Sequence, residues 1–286
     1  KSALAGLNLG GGKAVIIGDA KTEKTPELMK AFAKYVHSLS GRYITAEDVG
    51  METADMDLVH EVTPYVTGVS DSRGGSGNPS PVTAYGVYMG MKAAAKFKFG
   101  TDNLEGKKVL VQGVGHVGES LIAHLFEEGA NVVITDINEI KLLEVSNKYS
   151  ATIFKGDDIF DTDIDIYAPC ALGATLNDVS ISKIKAKVVA GAANNQLAEE
   201  ARHGEMLKNK GIVYAPDFLI NAGGIINVYA EIEKYNRQEA LRRTENIYNT
   251  TLQILEDAHA KKQTPHEAAL QMAMHRINAR KRQAAM

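Results

Sequence analysis

Apolar positions recur along this chain in two rhythms. Between 26 and 39, Leu28, Phe32, Tyr35, Val36 and Leu39 fall at helical spacing behind Thr25, an N-cap residue, and Pro26, a favoured first helical residue. Short uninterrupted apolar runs predict strands at 15–17 and 43–46, with a second short helix over 54–62. Past residue 81 the alternation becomes regular. A helix over 82–97 is followed by strand 108–112, helix 117–128, strand 131–135 and helix 138–149, with further strands near 151–154, 164–168, 187–190 and 212–215. Runs such as Val109-Leu110-Val111 and Val132-Val133-Ile134 belong to a parallel sheet covered on both faces. The predicted fold class is α/β and doubly wound. From about Ile225 to the end the pattern is helical throughout, and no internal repeat is evident.

One turn in that alternation carries chemistry. Gly113-Val114-Gly115-His116-Val117-Gly118 closes the strand at 108–112 and opens the helix at 117. As a bare pattern it is weak, but strand, glycine loop and helix in sequence make a Rossmann-type dinucleotide fingerprint. Gly113 serves the tight turn, Gly115 the approach to a pyrophosphate, and Gly118 the close packing of helix on strand. The phosphates are expected at the helix N-terminus, where unpaired N–H groups favour anions. Asp136, at the end of the second strand, is placed to accept from adenosine ribose hydroxyls and to repel a 2′-phosphate. The expected cofactor is therefore NAD rather than NADP; the basic residue nearest along the chain is Lys141.

The Gly-, Ser- and Pro-rich stretch 66–81 is the expected hinge, separating a smaller α/β catalytic domain (1–80) from an NAD-binding domain (81–260). A helical segment, 261–286, is expected to return to the first domain. A length of 286 residues suits two domains, and 44% hydrophobic with 23% charged residues is ordinary for a globular chain. A net charge of −3 argues against a nucleic-acid surface. Cys170 is the single cysteine, which excludes an intrachain disulfide or a thiolate zinc cage and fits a cytoplasmic protein. No apolar run has membrane-spanning length and no signal peptide is visible. The eight histidines lack metal-ligand spacing, and Asp48, Glu52, Asp55 and Asp57 lack the glycine and terminal glutamate of a calcium loop, so no metal is expected. The start at Lys1, without an initiator methionine, reads as a fragment or a processed form.

Gly10-Gly11-Gly12-Lys13 runs into the apolar Ala14-Val15-Ile16-Ile17. It is not a phosphate loop, which would need glycine at 7 and a hydroxyl at 14, where this chain has Leu7 and Ala14. A lysine in a glycine-lined cleft is a candidate general base, because burial and a neighbouring cation make an ammonium give up its proton more readily. Alone, the tetrapeptide equally suits a turn before a strand.

Together with Glu47-Asp48-Val49-Gly50, Gly77-Asn78-Pro79-Ser80-Pro81-Val82-Thr83, Pro169-Cys170-Ala171-Leu172-Gly173, Asn194-Asn195-Gln196 and Pro216-Asp217-Phe218-Leu219-Ile220-Asn221-Ala222-Gly223-Gly224, that run resembles the glutamate/leucine/phenylalanine/valine amino-acid dehydrogenases. The match spans nearly the whole chain and is nearest the leucine-type members. The resemblance implies NAD-dependent oxidative deamination of branched-chain L-amino acids. It assigns Lys13 to activating water, Asp48 to moving protons at the substrate amine, and Lys1 to holding the substrate carboxylate. Thr83 and Asn195 would orient the nicotinamide, with Asn221 at the same junction. Val114, His116, Val117 and Glu119 in the glycine loop and first helical turn, and Cys170 and Ala171 after a strand end, count as further cofactor positions.

Ile225 and Val228 match the substrate side-chain pocket. Both are apolar and branched, which suits an aliphatic substrate, although plain helix packing explains the pair equally well. The family also implies a homo-oligomer, an octamer among its leucine-type members, and sequence preceding Lys1 that completes the first domain. Two alternatives stand beside this reading: a non-catalytic NAD-binding module, and a phenylalanine- or valine-preferring enzyme of the same family. A 2-hydroxy acid dehydrogenase would want a histidine paired with a carboxylate, and none stands at convincing spacing.

Overall fold

Behind the Thr25 hydroxyl, which accepts from the Leu28 amide at 3.2 Å, runs α1 (Pro26–Ser38). The second helix, α2 (Thr53–His60), begins where Asp55 accepts from the Glu52 amide at 2.8 Å. Met29 and Ala33 of α1 meet Met56 and Val59 of α2 over Val66 and Val69, forming a small core of their own. These features come from a computed structural model that describes residues 1–156, 158–234 and 236–284.

The larger core surrounds a sheet. After α3 (Ser80–Phe99) the chain alternates through β1 (Lys108–Gln112), α4 (His116–Glu127), β2 (Asn131–Thr135), α5 (Glu139–Tyr149), β3 (Thr152–Ile153), β4 (Ile166–Pro169), α6 (Asp178–Lys183), β5 (Val188–Val189), α7 (Glu200–Asn209) and β6 (Val213–Tyr214). The strands lie in the order β3-β2-β1-β4-β5-β6, and every pair is parallel. Along β1 the side chains alternate: Val109 and Val111 enter the core beneath α3 and α4, and Leu110 enters a second core with Ile181 and Leu207 of α6 and α7. All three are fully buried, and burial of each such side chain contributes about 1.5–3 kcal/mol. Because β1 is flanked by β2 on one side and β4 on the other, a crevice opens at its C-terminal end, the place where doubly wound sheets hold ligands.

The helical remainder comprises α8 (Asp217–Ile220), α9 (Gly223–Ile232), α10 (Arg237–Glu245), α11 (Ile247–Lys261) and α12 (Pro265–Ala284). α3 runs against α8 and α9 with glycine at both contacts: a Cβ on Gly90 would come within 2.2 Å of Ile220, and one on Gly223 within 2.0 Å of the Val82 carbonyl oxygen. Arg276 of α12 reaches back to the start of the chain, donating to the Ala3 carbonyl at 2.7 Å and the Gly6 carbonyl at 2.6 Å. Residues 1–7 form a helical turn, with the Leu7 amide donating to the Ser2 carbonyl at 2.9 Å. Leu4 and Leu7 are buried in the large core, so the first residues pack on the dinucleotide side of the molecule.

Two expectations fail in the first domain. Residues 15–17 are not a strand: Val15 is 77% and Ile17 97% exposed. Three apolar residues with no strand beside them, among the described residues, cannot bury a face or pair their backbone. The 43–46 run is reduced to one parallel bridge, Thr45 to Val66, in which the Thr67 amide donates to the Thr45 carbonyl at 2.9 Å. The 66–81 stretch is folded rather than slack. Within it the Gly75 amide donates to the Ser70 carbonyl at 3.1 Å and the Gly77 amide to the Val69 carbonyl at 3.0 Å, closing a turn.

Candidate active site

The glycine loop stands at the crevice above β1, and its three glycines meet different surroundings. Gly113 has φ +105°, and a Cβ there would press on the Ala171 amide nitrogen at 2.8 Å. A Cβ on Gly118 would lie 2.0 Å from the Gly113 carbonyl oxygen, so helix and strand touch through bare backbone. Gly115 has nothing within 4 Å of that position. The loop is thus packed at both ends and open in the middle, over the first turn of α4, where a pyrophosphate fits.

Asp136 grips the same loop. One carboxylate oxygen accepts from the Val114 amide at 2.7 Å and the other from the Asn138 amide at 2.8 Å. A carboxylate offers about four acceptor sites, so room remains for ribose hydroxyls. Lys141 is no free cation for a 2′-phosphate, since it pairs with Glu119 at 2.9 Å and Glu144 at 3.3 Å. Glu119 also pairs with Lys148 at 2.9 Å; these two lysines hold its carboxyl below the usual range, and the carboxylate is engaged toward α5. Cys170 closes the loop's far side, with its amide donating to the Gln112 carbonyl at 2.7 Å. Burial pushes its thiol up to about 12, which leaves it an inert packing group.

Lys13 and Asp48 form an ion pair on the first domain, although 35 positions separate them. The surroundings differ from the glycine-lined cleft expected for Lys13. Its side chain is 65% exposed, Gly10 and Gly11 face open space, and only Gly12 meets a neighbour, the Tyr43 ring. Asp48 accepts from the Val49 amide at 2.8 Å, which fixes its rotamer. Lys24 steadies the same loop by donating to the Gly50 carbonyl at 3.1 Å and pairing with Asp55 at 2.6 Å.

Lys1 joins residues from two distant segments. Its Nζ donates to the Asn194 Oδ1 at 3.1 Å, and the Asn221 amide group donates to that same oxygen at 2.9 Å and to the Ala192 carbonyl at 3.0 Å. Desolvation by the surrounding protein pushes the Lys1 ammonium below its ordinary pKa; nearby Asp217 opposes this and Lys13 adds to it. Asp217 is buried, and its carboxylate accepts from the Tyr214 hydroxyl at 3.1 Å and the Gln196 amide at 3.3 Å. The Asn221 Oδ1 is a buried acceptor with no donor among the described residues, suited to a polar group of a bound molecule.

The nicotinamide candidates surround this junction. Asn195 adopts a left-handed backbone, φ +52°, and its carbonyl accepts from the Ala174 amide at 2.7 Å; Ala174 is itself left-handed at φ +57°. Two strained residues held against each other join the loops after β4 and β5. Thr83 donates to the Pro79 carbonyl at 3.0 Å, and a Cβ on Gly224 would sit 2.6 Å from its hydroxyl. Ile225 is half-buried against the large core and Val228 is buried, so both side chains serve packing as well as any pocket.

Asn194 and Asp217 join the site without having been singled out from sequence, and Glu47, a first-domain candidate beside Lys1, Lys13 and Asp48, joins it too. Glu47 precedes Asp48, is half-buried and accepts from the Thr53 hydroxyl at 3.1 Å. Burial raises its pKa, opposed by the Thr53 hydrogen bond and by His116 of the glycine loop across the cleft. A carboxyl raised on folding favours the folded state when protonated, so its cost is absent below about pH 4.5 and grows as pH rises through the folded value. Glu47→Gln, which keeps an acceptor for Thr53, is therefore expected to raise the melting temperature at pH 8 by about 1–2 °C and to leave it unchanged at pH 4. Thermal denaturation at both pH values reads the difference.

Fold and site together define a class, a two-domain dinucleotide-binding enzyme with a lysine–aspartate ion pair whose Lys13 lies within electrostatic reach of Lys1. The chain belongs to the glutamate/leucine/phenylalanine/valine dehydrogenase family. That family's model matches residues 74–140 and 133–284, and the model of its dimerisation domain matches residues 1–65. Leucine dehydrogenase of Bacillus subtilis (strain 168) is 55% identical over 282 residues, which cover 99% of this chain and 77% of that protein. Leucine dehydrogenase of Thermoactinomyces intermedius is 56% identical over 277 residues, 97% of this chain and 75% of its own. The crystal structure of L-tryptophan dehydrogenase from Nostoc punctiforme superimposes with a TM-score of 0.82 at 42% identity, covering 98% of this chain and 80% of that one.

Proposed function

We propose that this protein catalyses the NAD-dependent oxidative deamination of branched-chain aliphatic L-amino acids, leucine foremost, to 2-oxo acids and ammonia, together with the reverse reductive amination. The observation that carries the reading is the paired Lys13 and Asp48 on one domain, set against the Lys1–Asn194–Asn221 network on the other. The 55% identity to a leucine dehydrogenase supports the choice of substrate.

Residues present fit NAD: the open position at Gly115 would take the pyrophosphate, Asp136 the ribose, and Thr83, Asn195 and Asn221 the nicotinamide end. When bound, NAD supplies the acceptor for the hydride leaving the amine-bearing carbon. The chain's own residues do the rest. Lys1 pairs the substrate carboxylate, and the apolar faces of Ile225 and Val228 leave a second carboxylate or an ammonium unpaired, which selects for an aliphatic side chain. Asp48 takes a proton from the substrate ammonium, so that the nitrogen lone pair is free to assist departure of the hydride. Lys13 removes a proton from the water that attacks the resulting iminium carbon, giving a carbinolamine. Asp48 returns its proton to the nitrogen, the C–N bond breaks to release ammonia as the hydroxyl proton leaves to solvent, and Lys13 gives up its proton to solvent. Closure of the cleft would exclude water from the exposed Lys13–Asp48 pair and strengthen each of these contacts.

We further propose a cytoplasmic homo-oligomer. The match of residues 1–65 to a dimerisation domain supports self-association, and the octamer is the form we expect. No helix among the described residues is long and apolar enough to cross a membrane. The direct test follows NADH absorbance with L-leucine, L-valine, L-phenylalanine and L-glutamate. Turnover fastest with leucine is expected. NAD binding by calorimetry without turnover of any amino acid would overturn the reading in favour of a binding module, and a preference for phenylalanine would overturn the substrate assignment.

A further inference from the structure

Glu231, near the end of α9, has no assigned role, yet one of its carboxylate oxygens accepts three hydrogen bonds from the 66–81 segment. The Gly68 amide donates at 2.8 Å, the Ser76 amide at 2.9 Å, and the Ser76 hydroxyl makes a short contact to the same atom. Gly68 and Ser76 flank the two ends of the turn closed by the Gly75 and Gly77 amides, so a single carboxylate caps the turn at both ends. The turn's other side is bound to the first domain. Its Ser70 amide donates to Asp57 of α2 at 2.9 Å, and Arg73 lies 3.7 Å from Asp57 and 3.6 Å from Glu61. The turn is therefore a strut with α2 at one end and α9 at the other.

Position along α9 gives the strut a purpose. Gly224, Val228 and Glu231 recur at i, i+4 and i+7 and share one helix face. That face meets Thr83 and Pro79 at Gly224, and the strut at Glu231. We propose that Glu231 is a positioning residue: by locking the 68–77 turn onto α9, it sets the placement of the substrate-facing side of α9 relative to α2 and the adjoining Asp48 loop. The proposal rests on the dehydrogenase reading for its kinetic consequence but not for its structural one. Hydrogen bonds to an ionised acceptor are about twice as strong as neutral ones, so loss of this carboxylate releases the strut.

Three variants of the full chain test it: Glu231→Ala, Glu231→Gln, which keeps an acceptor oxygen, and Ser76→Ala, which removes only the hydroxyl. In Glu231→Ala the Gly68 and Ser76 amides are expected to exchange with deuterium at least tenfold faster, independent of any activity. The kcat/KM for leucine is expected to fall about tenfold and its ratio to that for valine to shrink severalfold, with NAD affinity within twofold of the parent. Glu231→Gln is expected to recover most of both losses, and Ser76→Ala to show an intermediate loss. Unchanged exchange at Gly68 and Ser76 in Glu231→Ala would overturn the latch. Equal losses for every amino acid, tracking a lowered melting temperature, would overturn the positioning role. Should Glu231→Ala fail to fold, exchange and substrate discrimination unchanged in Ser76→Ala would overturn the proposal. A parent enzyme inactive on all amino acids would instead fault the dehydrogenase reading and leave the exchange result to decide the latch.

Discussion

Replacing Lys13 with alanine is expected to lower kcat for leucine oxidation by about 10³–10⁴-fold while NAD binding stays within twofold of the parent. The magnitude is that of a lost general base, since Asp48 serves the nitrogen and the proposed mechanism gives the attacking water no acceptor but Lys13. The separation of effects follows from placement. Lys13 lies on the first domain in contact with Asp48, whereas the glycine loop and Asp136 lie at the end of β1 and β2. Lys13→Arg should be equally impaired, because a guanidinium keeps its charge and cannot serve as a base. Steady-state kinetics with calorimetric titration of NAD separates these arms; a Lys13→Ala enzyme within tenfold of the parent would remove the lysine from the chemistry.

Two glycine substitutions should fail in opposite ways. Gly115→Val is expected to fold with an unchanged melting temperature and to lose at least 100-fold in NAD affinity, since the added side chain enters open space where the pyrophosphate would sit. Gly118→Val is expected to unfold or to lose about 3 kcal/mol or more, because a Cβ 2.0 Å from the Gly113 carbonyl oxygen forces β1 and α4 apart. Thermal denaturation and NAD titration on both variants decide. Normal NAD binding by Gly115→Val would remove the open centre of the loop as the phosphate site.

The dinucleotide half of the molecule was legible because several local signals agreed there. Lys108–Gln112 and Asn131–Thr135 hold the continuous apolar runs Val109–Val111 and Val132–Ile134, glycines punctuate the turn between strand and helix, and an acid follows the second strand. The 15–17 run offered only three apolar residues, too few to carry a period, and its strand reading failed for want of a partner. Ion pairs and hydrogen bonds across long separations left no trace in spacing. Lys1 and Asn194 lie 193 residues apart, and the resemblance supplied a role for one but not the other. Glu231 is the plainest case, since an acid near a helix end reads as a solvated charge until the fold brings Gly68 and Ser76 to it. The glycine stretch beside Lys13 suggested a cleft wall that the fold does not supply, since Gly10 and Gly11 enclose nothing.

Arg276 and the buried Leu4 and Leu7 fasten Lys1 to the same side of the molecule as the glycine loop. Under the proposed mechanism the two jaws of the cleft divide their labour: one would grip both the amino acid's carboxylate and the dinucleotide, and the other would bring only the proton-handling pair. Ligands can collect on the gripping jaw while Lys13 and Asp48 are still exposed to bulk water. On that mechanism chemistry would wait on the meeting of the jaws, making the enzyme's commitment to react a mechanical event separate from recognition.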